Sequence, residues 1–183
     1  AILVCYASME VPGLPKDAVK LADALHKAEL SAYMRELYQK WLDQGAEAKK
    51  KWVLYAASVH GGREMVPLLY RLIKELPAKS RGAMAVEAVR ALTLNGTSEA
   101  LLLVDQISRK FKYRQVKKGA QEALANAAAE LGISREELED RIIPDLGFDE
   151  KMERVFDYGT RKFIVRLTPA LETEVLGENN KRM

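Results

Sequence analysis

The sequence predicts a mainly α fold: a HEAT-like α-solenoid of stacked helical hairpins closed by a small C-terminal antiparallel β meander. Three observations predict it. Gly61-Gly62, Asn95-Gly96 and Leu131-Gly132 recur between apolar patterns, with Gly62, Gly96 and Gly132 spaced 34 and 36 residues apart. Apolar residues in those patterns recur at steps of three and four, which lines up one face of a helix. After Pro144 the period shortens to an alternation, as in a half-buried strand.

The first hairpin opens at Pro15, since proline suits the first turn of a helix. Ala18, Leu21, Ala22 and Leu25 then mark one face, and Met34, Leu37, Tyr38 and Trp41 mark the partner helix, which stops at Gly45. The second hairpin begins with Trp52 to Val59, apolar nearly all round as expected of a helix packed on both sides. Met65, Leu68, Leu69, Leu72, Ile73 and Leu76 follow its glycine turn. In the third, Ala85, Ala88, Val89 and Leu92 lead through Asn95-Gly96 to Ala100, Leu103, Val104, Ile107 and Phe111. The fourth carries the cleanest stripe, Val116, Ala120, Ala123, Leu124, Ala127, Ala128 and Leu131. Its partner is a short helix opened by Ser134 and Glu137 as a capping box and ended by Pro144. Alanines on the first helix of each pair permit close approach, and larger side chains on the second fill the layer between.

Beyond Pro144, Val155 to Tyr158, Phe163 to Leu167 and Leu171 to Leu176 read as three strands, turning at Tyr158-Gly159-Thr160 and Thr168-Pro169-Ala170. Three strands with one apolar face need something to pack on, and the end of the helical region is the expected partner. The domain reading is therefore a helical repeat region over 1–143 and a β meander cap over 144–183.

Composition is that of a soluble globular chain: 183 residues, 48% apolar, 30% charged, net charge +3. The charge is too small to require a polyanionic partner. One cysteine, Cys5, excludes an internal disulfide or thiolate cluster and fits a reducing compartment, so a cytoplasmic location is expected. The apolar start, Ala1 to Met9, lacks a basic leader and is too short to span a bilayer, so no membrane partner is expected. The first residue is not Met, and the expectation is a fragment of a longer protein.

The C-terminal third carries more specific runs: Glu130-Leu131-Gly132-Ile133-Ser134, Pro144-Asp145-Leu146-Gly147-Phe148-Asp149, and Phe156-Asp157-Tyr158-Gly159-Thr160-Arg161-Lys162-Phe163. From about Ala123 onward the chain resembles the MolR-type bacterial domain of unknown function, often found beside a WGR domain. The resemblance implies a large cytoplasmic protein, and it brings no catalytic residues.

Catalytic patterns are missing. His26 and His60 stand 34 residues apart outside any metal-binding spacing, and each reads as a histidine near a helix C-terminus, favoured there as imidazolium. Cys5 reads as a buried, inert thiol without a base. Gly61-Gly62-Arg63 reads as a turn rather than an anion loop. Asp145, Asp149 and Glu150 do not fit a calcium loop, and no cofactor is expected. Basic residues are more informative. Lys49, Lys50 and Lys51, then Lys79 and Arg81, then Lys112, Arg114, Lys117 and Lys118 with Arg109 and Lys110, all fall between one hairpin and the next. Stacking would align them along one edge, with Phe111 and Tyr113 interleaved in the last group. Two readings follow. One is a non-enzymatic interaction scaffold whose partner is a protein or another part of the same chain. The other is nucleic-acid binding, phosphates lying along the basic edge.

Overall fold

The computed structural model describes residues 1–143, 148–149, 151–168, 170 and 172–177. The chain divides into two compact units, Ala1–Ile143 and Pro144–Met183. Expectations that fall on Pro144, Asp145, Gly147, Glu150, Pro169 and Leu171 lie outside the described residues.

The first unit is helical: α1 Ile2–Ala7, α2 Lys16–Asp23, α3 Lys27–Asp43, α4 Trp52–His60, α5 Met65–Glu75, α6 Gly82–Leu94, α7 Ser98–Lys110, α8 Arg114–Leu131 and α9 Arg135–Ile142. The expected hairpins correspond to the pairs α2–α3, α4–α5, α6–α7 and α8–α9. Their turns hold Gly62, Gly96 and Gly132 at φ +78°, +70° and +68°, a backbone conformation that glycine adopts without steric cost. Helices two apart in sequence also pack: α4 on α6, α6 on α8, α5 on α7 and α7 on α9.

The core is one continuous cluster from Ile2 to Ala123, with a smaller one of Leu101, Ala127 and Leu138. Helix α4 buries every residue from Val53 to Ser58, as its all-round apolar sequence requires. Each fully buried leucine here, such as Leu69 or Leu92, contributes about 2 kcal/mol of transfer free energy. Alanines line the contact of α6 with α8: Ala85 and Ala88 on one, Ala120 and Ala123 on the other, all buried in one cluster. Gly119 marks the tightest point, where an added Cβ would stand 2.7 Å from Val86 Cγ1.

Two local expectations are corrected and a third is observed. Helix α1 occupies the apolar start, and its Tyr6 is buried beside α4. On α2 only Ala18 and Ala22 face the core; Leu21 and Leu25 are 42% and 48% exposed, because α2 ends at Asp23 and its buried face is a narrow alanine stripe. Helix α9 keeps its expected capping box, with Ser134 Oγ accepting from the Glu137 amide and the Glu137 carboxylate accepting from the Ser134 amide.

The second unit is a three-stranded antiparallel sheet, β1 Glu153–Asp157, β2 Lys162–Leu167 and β3 Thr173–Leu176, in the order β1-β2-β3. Phe156 pairs with Phe163, and Val165 with Arg154 and Val175, so these residues share one face. Ile164 and Leu176 pair on the other face, and Leu176 is the buried member of the sheet. Gly159 makes the β1–β2 turn at φ +80°. Asp157 braces it by accepting from the Gly159 amide and pairing with Lys162 at 2.9 Å.

The Gly119 contact yields a test. Gly119→Ala gains about 1 kcal/mol of helix propensity, yet it forces Val86, whose χ1 is stiff, off its position. The expected net loss in urea unfolding is about 1–2 kcal/mol, in the range of other overpacked cores. The double variant with Val86→Ala should recover most of it.

Candidate inter-hairpin basic edge

The structure places the three basic groups between hairpins. Lys49 and Lys50 lie in a 3₁₀ turn, Ala48–Lys50, and Lys51 is the N-cap of α4. Lys79 ends a second 3₁₀ turn, Pro77–Lys79, and Arg81 is the N-cap of α6. Lys112 precedes α8, whose first turns carry Arg114, Lys117 and Lys118. Successive connectors touch. The Arg81 guanidinium donates to the carbonyls of Gly45, at 3.0 Å, and Ala46. Gly82 lies against Gln115 at the start of α8.

Much of this charge is spent inside the fold. Arg81 satisfies carbonyls in the connector that follows the first hairpin. Lys51 pairs with Glu87 of α6 at 2.8 Å, and the buried Tyr55 hydroxyl donates to the same carboxylate at 2.6 Å. Burial pushes the Glu87 carboxyl up, but the bonds from Lys51 and Tyr55 outweigh it and hold it below the ordinary carboxylate value. Burial first, and the Glu87 bond second, drive the Tyr55 phenol upward, so it stays a donor. Lys50 pairs with Glu47, Lys79 with Glu75, Lys118 with Glu122 and Arg109 with Asp105. These last four are surface pairs one helical turn apart, each worth a few tenths of a kcal/mol.

The α7–α8 corner differs. Among the described residues no ion pair engages Lys110, Lys112, Arg114 or Lys117. No acidic residue occurs between Asp105 and Glu122. Phe111 and Tyr113 are half-buried against the core, their ring centroids 6.2 Å apart and tilted by 48°. Lys112 places its ammonium 5.7 Å from the Tyr113 ring centre. Beside them, Tyr70, Gln106, Ile107, Arg109, Lys110 and Phe111 line a cavity of about 440 Å³.

Sequence reasoning located this corner but missed Tyr70, which comes from α5 and reaches it only through the stacking of α5 on α7. It also missed the carbonyl staples, since side chains that bond turns a hairpin away leave no local pattern. The histidines are corrected. His26 caps the start of α3 and is exposed. His60 does end α4, but burial lowers its pKa, against a weaker pull from Asp23, so the neutral ring is favoured rather than the imidazolium. Its Nε2 lies 3.0 Å from the Tyr6 hydroxyl. Cys5 is half-buried on α1. Trp41 is buried with its Nε1 donating to the Glu47 carbonyl, and Trp52 packs on the core. Asp149 accepts from the Lys151 and Glu153 amides, which makes it a turn residue. Among the described residues no cluster of three or more His, Cys, Asp or Glu side chains could hold a metal, and no described helix is long and apolar enough to cross a membrane.

The Glu87 network is testable. Glu87→Ala leaves the Tyr55 hydroxyl buried and unpaired, an expected loss of about 1–3 kcal/mol in chemical unfolding. The pH sign follows from the lowered carboxyl: its stabilisation is present above the ordinary value of 4.5 and is lost as pH falls through the lower folded value. Glu87→Gln should therefore unfold with a shallower pH dependence below 4.5 than the parent chain.

Comparison with known proteins finds a relative of this chain. Over 153 residues the chain is 34% identical to the uncharacterized protein YehI of Escherichia coli (strain K12). That alignment takes in 84% of this chain and 13% of YehI, so the chain spans about one eighth of the relative's length. No family model matches the sequence. No solved structure matches it either.

Proposed function

We propose that the chain is a non-enzymatic interaction scaffold, a HEAT-like α-solenoid segment of a MolR-type bacterial protein working in the cytoplasm. One observation carries this reading: side chains of one hairpin or connector satisfy backbone carbonyls of another. Arg81 bonds Gly45 and Ala46, Asn95 bonds Ser58 at 2.7 Å, and Arg141 bonds Gly96 at 3.2 Å. Such staples hold successive turns as one body, which suits a surface built to be docked against. The partner is a protein or another part of a longer chain.

Cross-linking mass spectrometry in cells tests it. The expected result is cross-links from the inter-hairpin lysines, such as Lys49, Lys110 and Lys117, to a second polypeptide or to chain beyond this segment. Steady substrate turnover by the purified chain, with no such cross-links, would overturn it.

A second reading is supported by the unpaired cations of the α7–α8 corner: contact with a nucleic-acid phosphate backbone there. Four phosphate contacts correspond to a slope of roughly −3 in log affinity against log salt for a single strand. Binding should fall steeply between about 50 and about 200 mM salt, and charge reversal at Lys112, Arg114, Lys117 and Lys118 should abolish it. Absence of binding at the low-salt end rejects this reading.

A further inference from the structure

We infer that the α7–α8 corner is a stacking platform for single-stranded nucleic acid, with Phe111, Tyr113 and Tyr70 receiving bases while Lys110, Lys112 and Arg114 take the phosphates. The inference rests on the phosphate reading of the same corner and goes beyond it by naming the strand state and the residues that select it.

Charge alone recognises any polyanion, duplex or not. What distinguishes this corner is that aromatic rings alternate with cations along the chain: Lys110, Phe111, Lys112, Tyr113, Arg114. A duplex hides its base faces inside the stack, so half-buried rings beside phosphate-binding cations gain nothing from it. An unpaired strand offers base faces and phosphates together, which is the chemistry of sequence-tolerant single-strand sites.

The rings are placed for this. Phe111 and Tyr113 each pack against the helical core, which fixes their orientation without a further ordering cost on binding. Their 48° tilt gives each ring its own face instead of a closed sandwich. Cations already reach two of the faces: Lys74 lies 4.5 Å from the Tyr70 ring centre and the exposed Lys112 lies 5.7 Å from that of Tyr113. A face that a lysine tip reaches from solvent is open to a base, and the displaced ammonium is then free for a phosphate. Among the described residues the Tyr70 and Tyr113 hydroxyls bond to no protein group, so these tyrosines are not anchored by their polar ends. The cavity between Tyr70 and Phe111, about 440 Å³, has room for a nucleobase.

The experiment is fluorescence anisotropy of the chain with labelled oligo-dT, oligo-rU and a duplex of equal length, with inorganic polyphosphate as competitor, across a salt series. A parallel arm photocross-links a thio-substituted oligo-dT and maps the linked residue by mass spectrometry, which needs no variant. The expected result is single-strand binding about tenfold tighter than duplex binding, cross-linked at Phe111, Tyr113 or Tyr70. Phe111→Leu with Tyr113→Leu, which keeps apolar filling, should lose that tenfold preference while keeping the salt slope; thermal melting by circular dichroism checks that it folds. Comparable dT and rU affinities fit a platform blind to the sugar, and a strong preference for either assigns the strand type. Equal binding of single strand, duplex and polyphosphate, with cross-links away from the rings, would overturn the stacking platform and leave the phosphate reading standing. No binding of any polyanion at low salt would overturn both.

Discussion

Every helix ends in backbone carbonyls that no residue of the same helix can satisfy, and a buried unsatisfied carbonyl costs on the order of 1–3 kcal/mol. In this chain residues of other hairpins and connectors answer that demand. Arg81 reaches back to Gly45 and Ala46, Asn95 to Ser58 and Arg141 to Gly96. The Gly61 carbonyl is met from the other side by Ser31 at 2.7 Å and Arg35 at 3.2 Å. Apolar burial drives the hairpins together, but it is non-directional. The carbonyl staples have fixed partners and so set which turn lies beside which.

This arrangement explains why the basic groups have unequal roles. Cations between hairpins sit where carbonyl ends and helix N-termini crowd together. Arg81 and Lys51 are consumed there, one by two carbonyls and one by the carboxylate that also holds Tyr55. At the α7–α8 corner no acid occurs between Asp105 and Glu122, and among the described residues Lys110, Lys112, Arg114 and Lys117 keep their charge outside any ion pair. A count of lysines and arginines treats these positions as alike, whereas the geometry separates structural cations from those facing solvent.

The helical part was legible in the sequence for a definite reason. Helix α8 shows an unbroken stripe from Val116 to Ala127; its first part, to Ala123, joins the cluster that holds α6, and Ala127 packs with Leu101 and Leu138. The glycine turns were legible because Gly62, Gly96 and Gly132 all adopt positive φ. Helix α1 was missed because its apolar run has no period to read; its docking depends on Tyr6 meeting α4, a contact with residues 54 positions away. Leu21 and Leu25 misled because apolar spacing was taken as burial, while the real seam of α2 is Ala18 and Ala22. In the sheet, alternation gave the strands but not the sides, and Leu176 is buried opposite Val175. At the candidate site the cations were visible locally. Tyr70, the Glu87 network and the staples were not, since each depends on residues from different hairpins.

The direction of the staples has a consequence in time. Arg81, Asn95 and Arg141 all lie C-terminal to the carbonyls they satisfy, by 35 to 45 residues. During synthesis, at about 5–20 residues per second, each of these carbonyls therefore waits roughly 2–9 s for the residue that satisfies it. The Gly61 carbonyl is the exception, because Ser31 and Arg35 have already emerged when it is made, so the α4–α5 turn can close at once while the other three wait for later chain.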